Sequence, residues 1–394
     1  MGEKMSELKQ LYLDLCMTSV FRSVREHPIF KNFEEFFSSE EKVRRIASYA
    51  AMVSEIYKMG GSLTESVRRI IFRDENVYVK ARAKKENIPK ELSEAVAHEL
   101  SVLERFATLT PKDFSEELDV SYVSPFASEG AAFVSEYEER IRDIDKHGYG
   151  IFASHTMFRL SDTGDLEPIV SADKTTTDSF IGYMNERQKV ILNTKAFVEG
   201  RHAANVLLCG DAGTGKSSTV KAVANAFFEE GVRLIEIRKD QLSALPYVMG
   251  KISENPLKFI IFIDDLSFNK SDDNFSMLKA ALEGSASAKA ENAVIYATSN
   301  RRHIVKESFG DRDGEDVHRN DTLQETLSLS ERFGLVVLFQ KPNKQLYLEI
   351  VRELASRFNV EMSREELELK AEEFALRKGN RSARCAEQFI HSLL

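Results

Sequence analysis

Tryptophan is absent from this 394-residue sequence, and cysteine occurs only three times, as Cys16, Cys209 and Cys385. The three lie far apart, with no CxxC pair and no histidine at ligand spacing, which argues against a disulfide framework and a zinc site. A reducing, cytoplasmic setting is the expectation. No apolar run approaches the roughly 18 residues that a bilayer span needs. The stretch from Leu8 to Phe21 comes nearest, but Asp14 interrupts it and no small-residue cleavage site follows, so it reads as an amphipathic helix. Excess positive charge is also lacking: 54 Lys and Arg stand against 63 Asp and Glu, a formal net charge of -9. No global positive field pulls in nucleic acid or anionic lipid, so charge points to neither DNA nor a membrane as a partner.

What is present is an ordinary globular composition, 42% hydrophobic and 30% charged. At roughly 150 residues per domain, the length predicts two or three domains. Residues 1–147 read as a helical N-terminal domain. Val43, Ile46, Ala50, Val53 and Tyr57 recur at spacings of three and four on a helix ending at Gly60-Gly61, and Leu92, Val96, Leu100 and Leu103 repeat the pattern after Pro89. No nucleophile constellation or metal-ligand cluster is visible there. Around Gly148 the period changes to alternation, with Phe152, Ser154, Thr156, Phe158 and Leu160 on one side of a predicted strand. A turn at Asp162-Thr163-Gly164-Asp165 leads to a second short strand, Glu167 to Val170, and then to a Ser/Thr/Asp/Lys-rich linker. Residues 148–179 are therefore expected to form a β-hairpin and linker. Beyond 180, strand-length apolar runs at 205–209, 233–237, 259–264, 294–298 and 335–339 alternate with helical segments, which predicts a parallel sheet covered on both faces over 180–341. Three further helical segments make a lid of residues 342–394.

Between the first of these strands and a helix stands Gly210-Asp211-Ala212-Gly213-Thr214-Gly215-Lys216-Ser217, followed by Ser218. This matches the phosphate-binding pattern GxxxxGK[ST] in the strand-loop-helix context that its mechanism requires. The glycines let the backbone curl so that successive N–H groups face phosphate oxygens, and the helix N-terminus adds partial positive charge. Lys216 is expected to reach the β- and γ-phosphates, and Ser217 to ligate Mg²⁺. Downstream, Phe259-Ile260-Ile261-Phe262-Ile263 runs into Asp264-Asp265, so two carboxylates arrive at the ligand-binding edge of a parallel sheet. Asp264 is expected to hold Mg²⁺ and Asp265 to orient or deprotonate the attacking water. ATP and Mg²⁺ are thus the expected cofactors, and ATP hydrolysis the expected activity.

From about residue 178 to the end the chain resembles the AAA+ ATPases. Ala297-Thr298-Ser299-Asn300 is similar to the sensor-1 element, Ser330-Glu331-Arg332-Phe333-Gly334 to the segment that carries an arginine finger, and Gly379-Asn380-Arg381 to sensor 2. The resemblance implies an α/β P-loop fold with a five-stranded parallel sheet of order 5-1-4-3-2, nucleotide held between core and helical lid, and a homo-oligomer formed through Arg332. It also implies roles for Asn300 beside the γ-phosphate and for Arg381 on the lid, with Arg384, three residues on, as a second candidate. More narrowly, Asp264-Asp265-Leu266-Ser267-Phe268, Leu282-Glu283-Gly284 and Ala297 through Arg301-Arg302-His303 resemble an uncharacterised ATPase family known only as a domain of unknown function. Most AAA+ proteins carry Glu where Asp265 stands, so hydrolysis is expected to be slow. Arg301 and Arg302 compete with Arg332 for the finger role. Tyr247-Val248-Met249-Gly250 is similar to a pore loop, but Pro246 ahead of it fits the start of a buried helix better. Phe309 to Thr322 reads either as a partner-contact loop or as disordered. The functional expectation is an ATPase that acts on a protein partner, the alternative being an ATP-gated switch or loader on a DNA-associated complex.

Overall fold

Apolar residues recurring every three or four positions between capping residues make the first part of the chain helical. The computed structural model describes residues 7–170, 175–266, 273–283, 290–300 and 332–394, and the chain divides into two compact units, Met1–Ser154 and His155–Leu394. Arg301, Arg302, Ser330, Glu331 and the 309–322 stretch lie outside the described residues.

The first unit holds α1 (Glu7–Cys16), α2 (Pro28–Ser38), α3 (Lys42–Lys58), α4 (Leu63–Arg73), α5 (Val77–Ala83), α6 (Lys90–Ala107), α7 (Pro111–Leu118), α8 (Phe133–Arg142) and α9 (Ile144–His147). Ser62 and Asn76 cap α4 and α5 by accepting from the N–H groups of Glu65 and Val79. The core is rich in phenylalanine: Phe33 lies 4.8 Å from Phe106, and Phe36 5.5 Å from Phe114, both edge-on. Each such pair adds about 0.5–1.5 kcal/mol beyond burial. On α3 the expected apolar face is corrected. Of the five residues only Val53 is buried; Val43 and Tyr57 are 69% and 51% exposed, while Tyr49, Met52, Val53 and Ile56 enter the core. The helix carries apolar residues on both sides, so spacing alone could not choose between them.

The second unit is built on β1 (Met157–Leu160), β2 (Leu166–Pro168), α10 (Met184–Val198), β3 (Val206–Gly210), α11 (Lys216–Ala226), β4 (Val232–Glu236), α12 (Leu245–Ser253), β5 (Lys258–Ile263), α13 (Asp273–Glu283), β6 (Ala293–Ser299), β7 (Leu335–Phe339), α14 (Lys344–Arg357), α15 (Arg364–Lys378) and α16 (Ala383–His391). Its sheet runs β2-β1-β4-β5-β6-β3-β7. Among the described residues only the β1–β2 pair is antiparallel. The expectation of five strands is thereby corrected to seven among the described residues. The expected hairpin joins the main sheet: Met157, Phe158 and Arg159 pair parallel with Leu234, Ile235 and Glu236, which gives the exposed edge of β4 a partner. Its first strand is also shorter than alternation suggested, because residues 150–153 form a 3₁₀ turn. Central strands β3 and β5 are buried along nearly their whole length, as a parallel sheet sandwiched by helices requires. Residues 245–253 form a helix with Pro246 in its first turn and Val248, Met249 and Ile252 buried, so the pore-loop resemblance gives way to the core reading. Helices α14–α16 pack on one another around Tyr347, Val351, Ala371 and Phe389.

Candidate functional site

Strand β3 ends at Gly210, where the chain must turn hard to enter α11. Gly210, Gly213 and Gly215 adopt φ of +134°, +75° and +88°, a region that side-chain-bearing residues seldom visit. The loop is closed by its own hydroxyls, since Thr214 Oγ1 donates to Asp211 O at 2.9 Å. Asp211 ties it to the neighbouring strand: its N–H donates to Phe339 O at 3.3 Å, and its carboxylate accepts from the Lys341 N–H at 3.0 Å. Lys216 folds back into the loop, donating to Gly210 O at 3.0 Å, Asp211 O at 2.8 Å and Asn300 Oδ1 at 3.0 Å. Its residue is only 5% exposed, and burial pushes the ammonium below the ordinary lysine range against the pull of Asp211, Asp264 and Asp265.

The two acids arrive from β5. Asp264 Oδ1 accepts from Ser217 Oγ at 2.7 Å, joining residues 47 positions apart, and also from Thr298 Oγ1 at 2.5 Å. The Thr298 hydroxyl accepts in turn from the Asp265 N–H at 2.9 Å. One buried hydroxyl thus bridges both acids, a role the sequence did not suggest, although Thr298 stands in the quoted ATSN segment. Asp265 itself sits at φ +50°, a left-handed conformation that Asp tolerates better than most residues. Asn300 Nδ2 donates to Asp265 Oδ1 at 2.7 Å, while its Oδ1 faces the ammonium of Lys216. Only this amide orientation satisfies both neighbours.

A cavity of about 230 Å³ is lined by Ala212, Gly213, Gly215, Lys216, Ser217, Ser218, Asp264, Asp265, Thr298, Asn300 and Arg384. Beside it a second cavity of about 500 Å³ shares Gly213, Gly215, Ser218 and Arg384 and continues along Phe180, Ile181, Arg187, Leu354, Arg357 and Phe358. The small polar space and the larger, partly apolar one together suit a charged group joined to a flat organic one. The hydroxyl of Ser217 and the carboxylate of Asp264 are hard oxygen donors of the kind Mg²⁺ takes alongside phosphate and water.

Three sequence expectations meet this geometry differently. Asn300 joins Lys216 and Asp265 as described. Arg381 lines neither cavity: it holds Glu372 through two contacts, at 3.0 and 2.8 Å, and this guanidinium keeps the Glu372 carboxyl below its usual range. Arg384 lines the cavity in its place, and its backbone N–H donates to Gly213 O at 3.2 Å. The two differ because the Ser382-capped helix α16 turns position 384, not 381, toward the loop. Arg332 stands just before β7, whose Leu335 pairs with Val206 and whose Phe339 pairs with Gly210. It therefore precedes the end of β7 that lies away from the loop, and it lines neither of the two cavities. Arg187, on α10, was not singled out from sequence. The signal was there: Tyr183, Arg187, Val190, Thr194 and Phe197 form one buried stripe at spacings of three and four.

Residues 153–394 match the family model described as "Protein of unknown function (DUF815)". No curated protein matches the chain. Among solved structures, the RuvB Holliday junction branch migration motor of Thermotoga maritima is similar at 14% identity and a TM-score of 0.35, over 55% of this chain and 71% of that one. A variant of the same protein gives 16% and 0.36, over 55% and 72%. Among the described residues no helix is long and apolar enough to cross a membrane.

Proposed function

The chain belongs to the DUF815 family of proteins of unknown function, and since that membership names no reaction, we propose from the site that it is an AAA+ P-loop ATPase that binds MgATP and hydrolyses it slowly. The observation that carries this reading is the 2.7 Å contact of Ser217 with Asp264. It brings a P-loop hydroxyl and a strand-end carboxylate together beside Lys216, Asp265 and Asn300. Ser217 and Asp264 are the residues that would hold Mg²⁺, which would supply positive charge to offset that of the phosphates. Gly210 through Ser218 bind the phosphates through backbone N–H groups. Lys216 leaves its carbonyls for the γ-phosphate and offsets developing charge there. Asp265 accepts a proton from the attacking water, and Asn300 holds that carboxylate in place. Arg332 serves a neighbouring protomer in a homo-oligomer, and the nucleotide cycle moves the lid against a protein partner.

The decisive variant is Asp264→Asn. It keeps an oxygen for Ser217 and Thr298 but removes the charge, and ATP turnover is expected to fall by about a hundredfold or more while Mg²⁺-free nucleotide still binds. Turnover equal to wild type would remove the basis of the proposal. Arg384→Ala is expected to weaken ATP binding about tenfold, the scale of one charge-assisted contact. Arg381→Ala should leave binding within about twofold and lower lid stability by at most about 1 kcal/mol, because its pair with Glu372 is partly solvated. Calorimetric titration of both variants checks the contrast, and equal losses would restore Arg381 to the site.

One observation favours a second reading, an ATP-gated switch or loader on a DNA-associated complex with little hydrolysis. The short Asp265 side chain is already held by Asn300, leaving it less free to serve as a base. ATPase rates with and without DNA, paired with mass measurement with and without ATP, separate the two readings. Turnover in an oligomer supports the enzyme, and a monomer that retains ATP unhydrolysed supports the switch.

A further inference from the structure

Arg187 is 5% exposed and pairs with no carboxylate among the described residues. Its partners are neutral oxygens: Ile181 O at 3.2 Å, Gly182 O, and Thr219 Oγ1 at 3.4 Å. Its guanidinium lies 4.0 Å over the Phe180 ring. Burial pushes it down to about 10, far below the ordinary arginine value. A buried cation with no matching anion is costly, and such groups persist where a ligand supplies the missing charge. The location says which ligand. The Nη2 group lies 3.1 Å from where a Cβ on Gly215 would stand, and Gly215 caps α11, whose first N–H groups face the loop. Arg187 also lines the larger cavity together with Gly213, Gly215 and Ser218, all three of which also line the smaller cavity that holds Lys216, Ser217 and Asp264.

We infer that Arg187 is a phosphate-binding residue of the nucleotide site, supplying a second positive charge behind the P-loop and linking residues 180–183 to its occupancy. The inference rests on the nucleotide-binding reading above. It assigns a second task to α10, whose Phe180–Tyr183 approach would otherwise only pack against the core.

The test uses the full chain and a fluorescent N-methylanthraniloyl ATP. Arg187→Met keeps the stem and drops the charge; Arg187→Lys keeps the charge and drops the planar fork; Lys216→Met serves as the control for nucleotide binding itself. Arg187→Met is expected to bind at least tenfold more weakly than wild type and with a shallower salt dependence, while Arg187→Lys stays within about threefold of wild type. A purely structural Arg187 would leave the salt dependence unchanged and would make the two variants equally poor, which overturns the inference. So does wild-type affinity in Arg187→Met. If Arg187→Met does not fold, the lysine variant decides alone, because a loss beyond tenfold there would mean that the fork and its carbonyl contacts matter rather than the charge. A wild-type protein that binds no ATP would overturn the nucleotide reading as well, an outcome distinct from binding that Lys216→Met abolishes and Arg187→Met does not.

Discussion

Lys216→Met is expected to abolish MgATP binding, with a loss of at least about a hundredfold, while leaving the nucleotide-free protein as stable as wild type or more so. Without a ligand the ammonium is satisfied by two loop carbonyls and an amide oxygen, none of which carries a charge. Burial lowers its pKa in the folded state, so between that lowered value and the ordinary lysine value of about 10.4 the unfolded chain binds more protons than the folded one. Stability therefore rises as pH climbs through that window, and at neutral pH the charged lysine is a liability that the methionine removes. Thermal melts at neutral pH and at about pH 9.5 should show the gap between variant and wild type narrowing as pH rises. A variant that melts well below wild type at neutral pH, or that still binds MgATP, would contradict this account of the site as one held ready for an anion at some cost to the fold.

A second large effect is expected for Gly210→Ala. A Cβ at this position would lie 2.0 Å from Phe339 O and 2.7 Å from its carbonyl carbon. Those are backbone atoms of the paired strand β7, so no side-chain rotation relieves the clash, and the φ of +134° adds strain of its own. Relief requires opening the β3–β7 pairing, at an expected cost above about 4 kcal/mol, or roughly 10 °C or more in Tm. Gly213 is a milder case because its Cβ would approach the Ser382 and Arg384 side chains at 3.1–3.4 Å, which can shift by a few tenths of an ångström. A Gly210→Ala protein melting within about 2 °C of wild type would refute the close approach.

The parts of the molecule that were legible in sequence are those where chemistry and spacing coincide. The GxxxxGK[ST] string and the acid pair are local patterns readable residue by residue, and the strands at 206–210 and 258–263 are apolar because both their faces are covered. Less legible was whatever depends on pairing between distant segments. The hairpin joined the main sheet because β4 had an open edge, which nothing within residues 157–168 announces. Thr298 bridges two acids only because β6 lies beside β5. Arg384 rather than Arg381 faces the loop because of how α16 is capped and rotated, a choice between positions that lie close together on one short segment. On α3 spacing points to the wrong apolar face for a related reason, since amphipathicity ranks faces only when one of them is polar.

The anchoring of Asp211 has a mechanical consequence. Its peptide oxygen receives Lys216, while its carboxylate grips the N–H of Lys341, two residues past β7 and three ahead of α14. Tyr183 holds the intervening Gln340 O at 2.7 Å. Whatever draws Lys216 away from this oxygen loosens the same residue that clamps the root of the lid. The loop after β3 and the segment that leads into α14 thus share one attachment, Asp211.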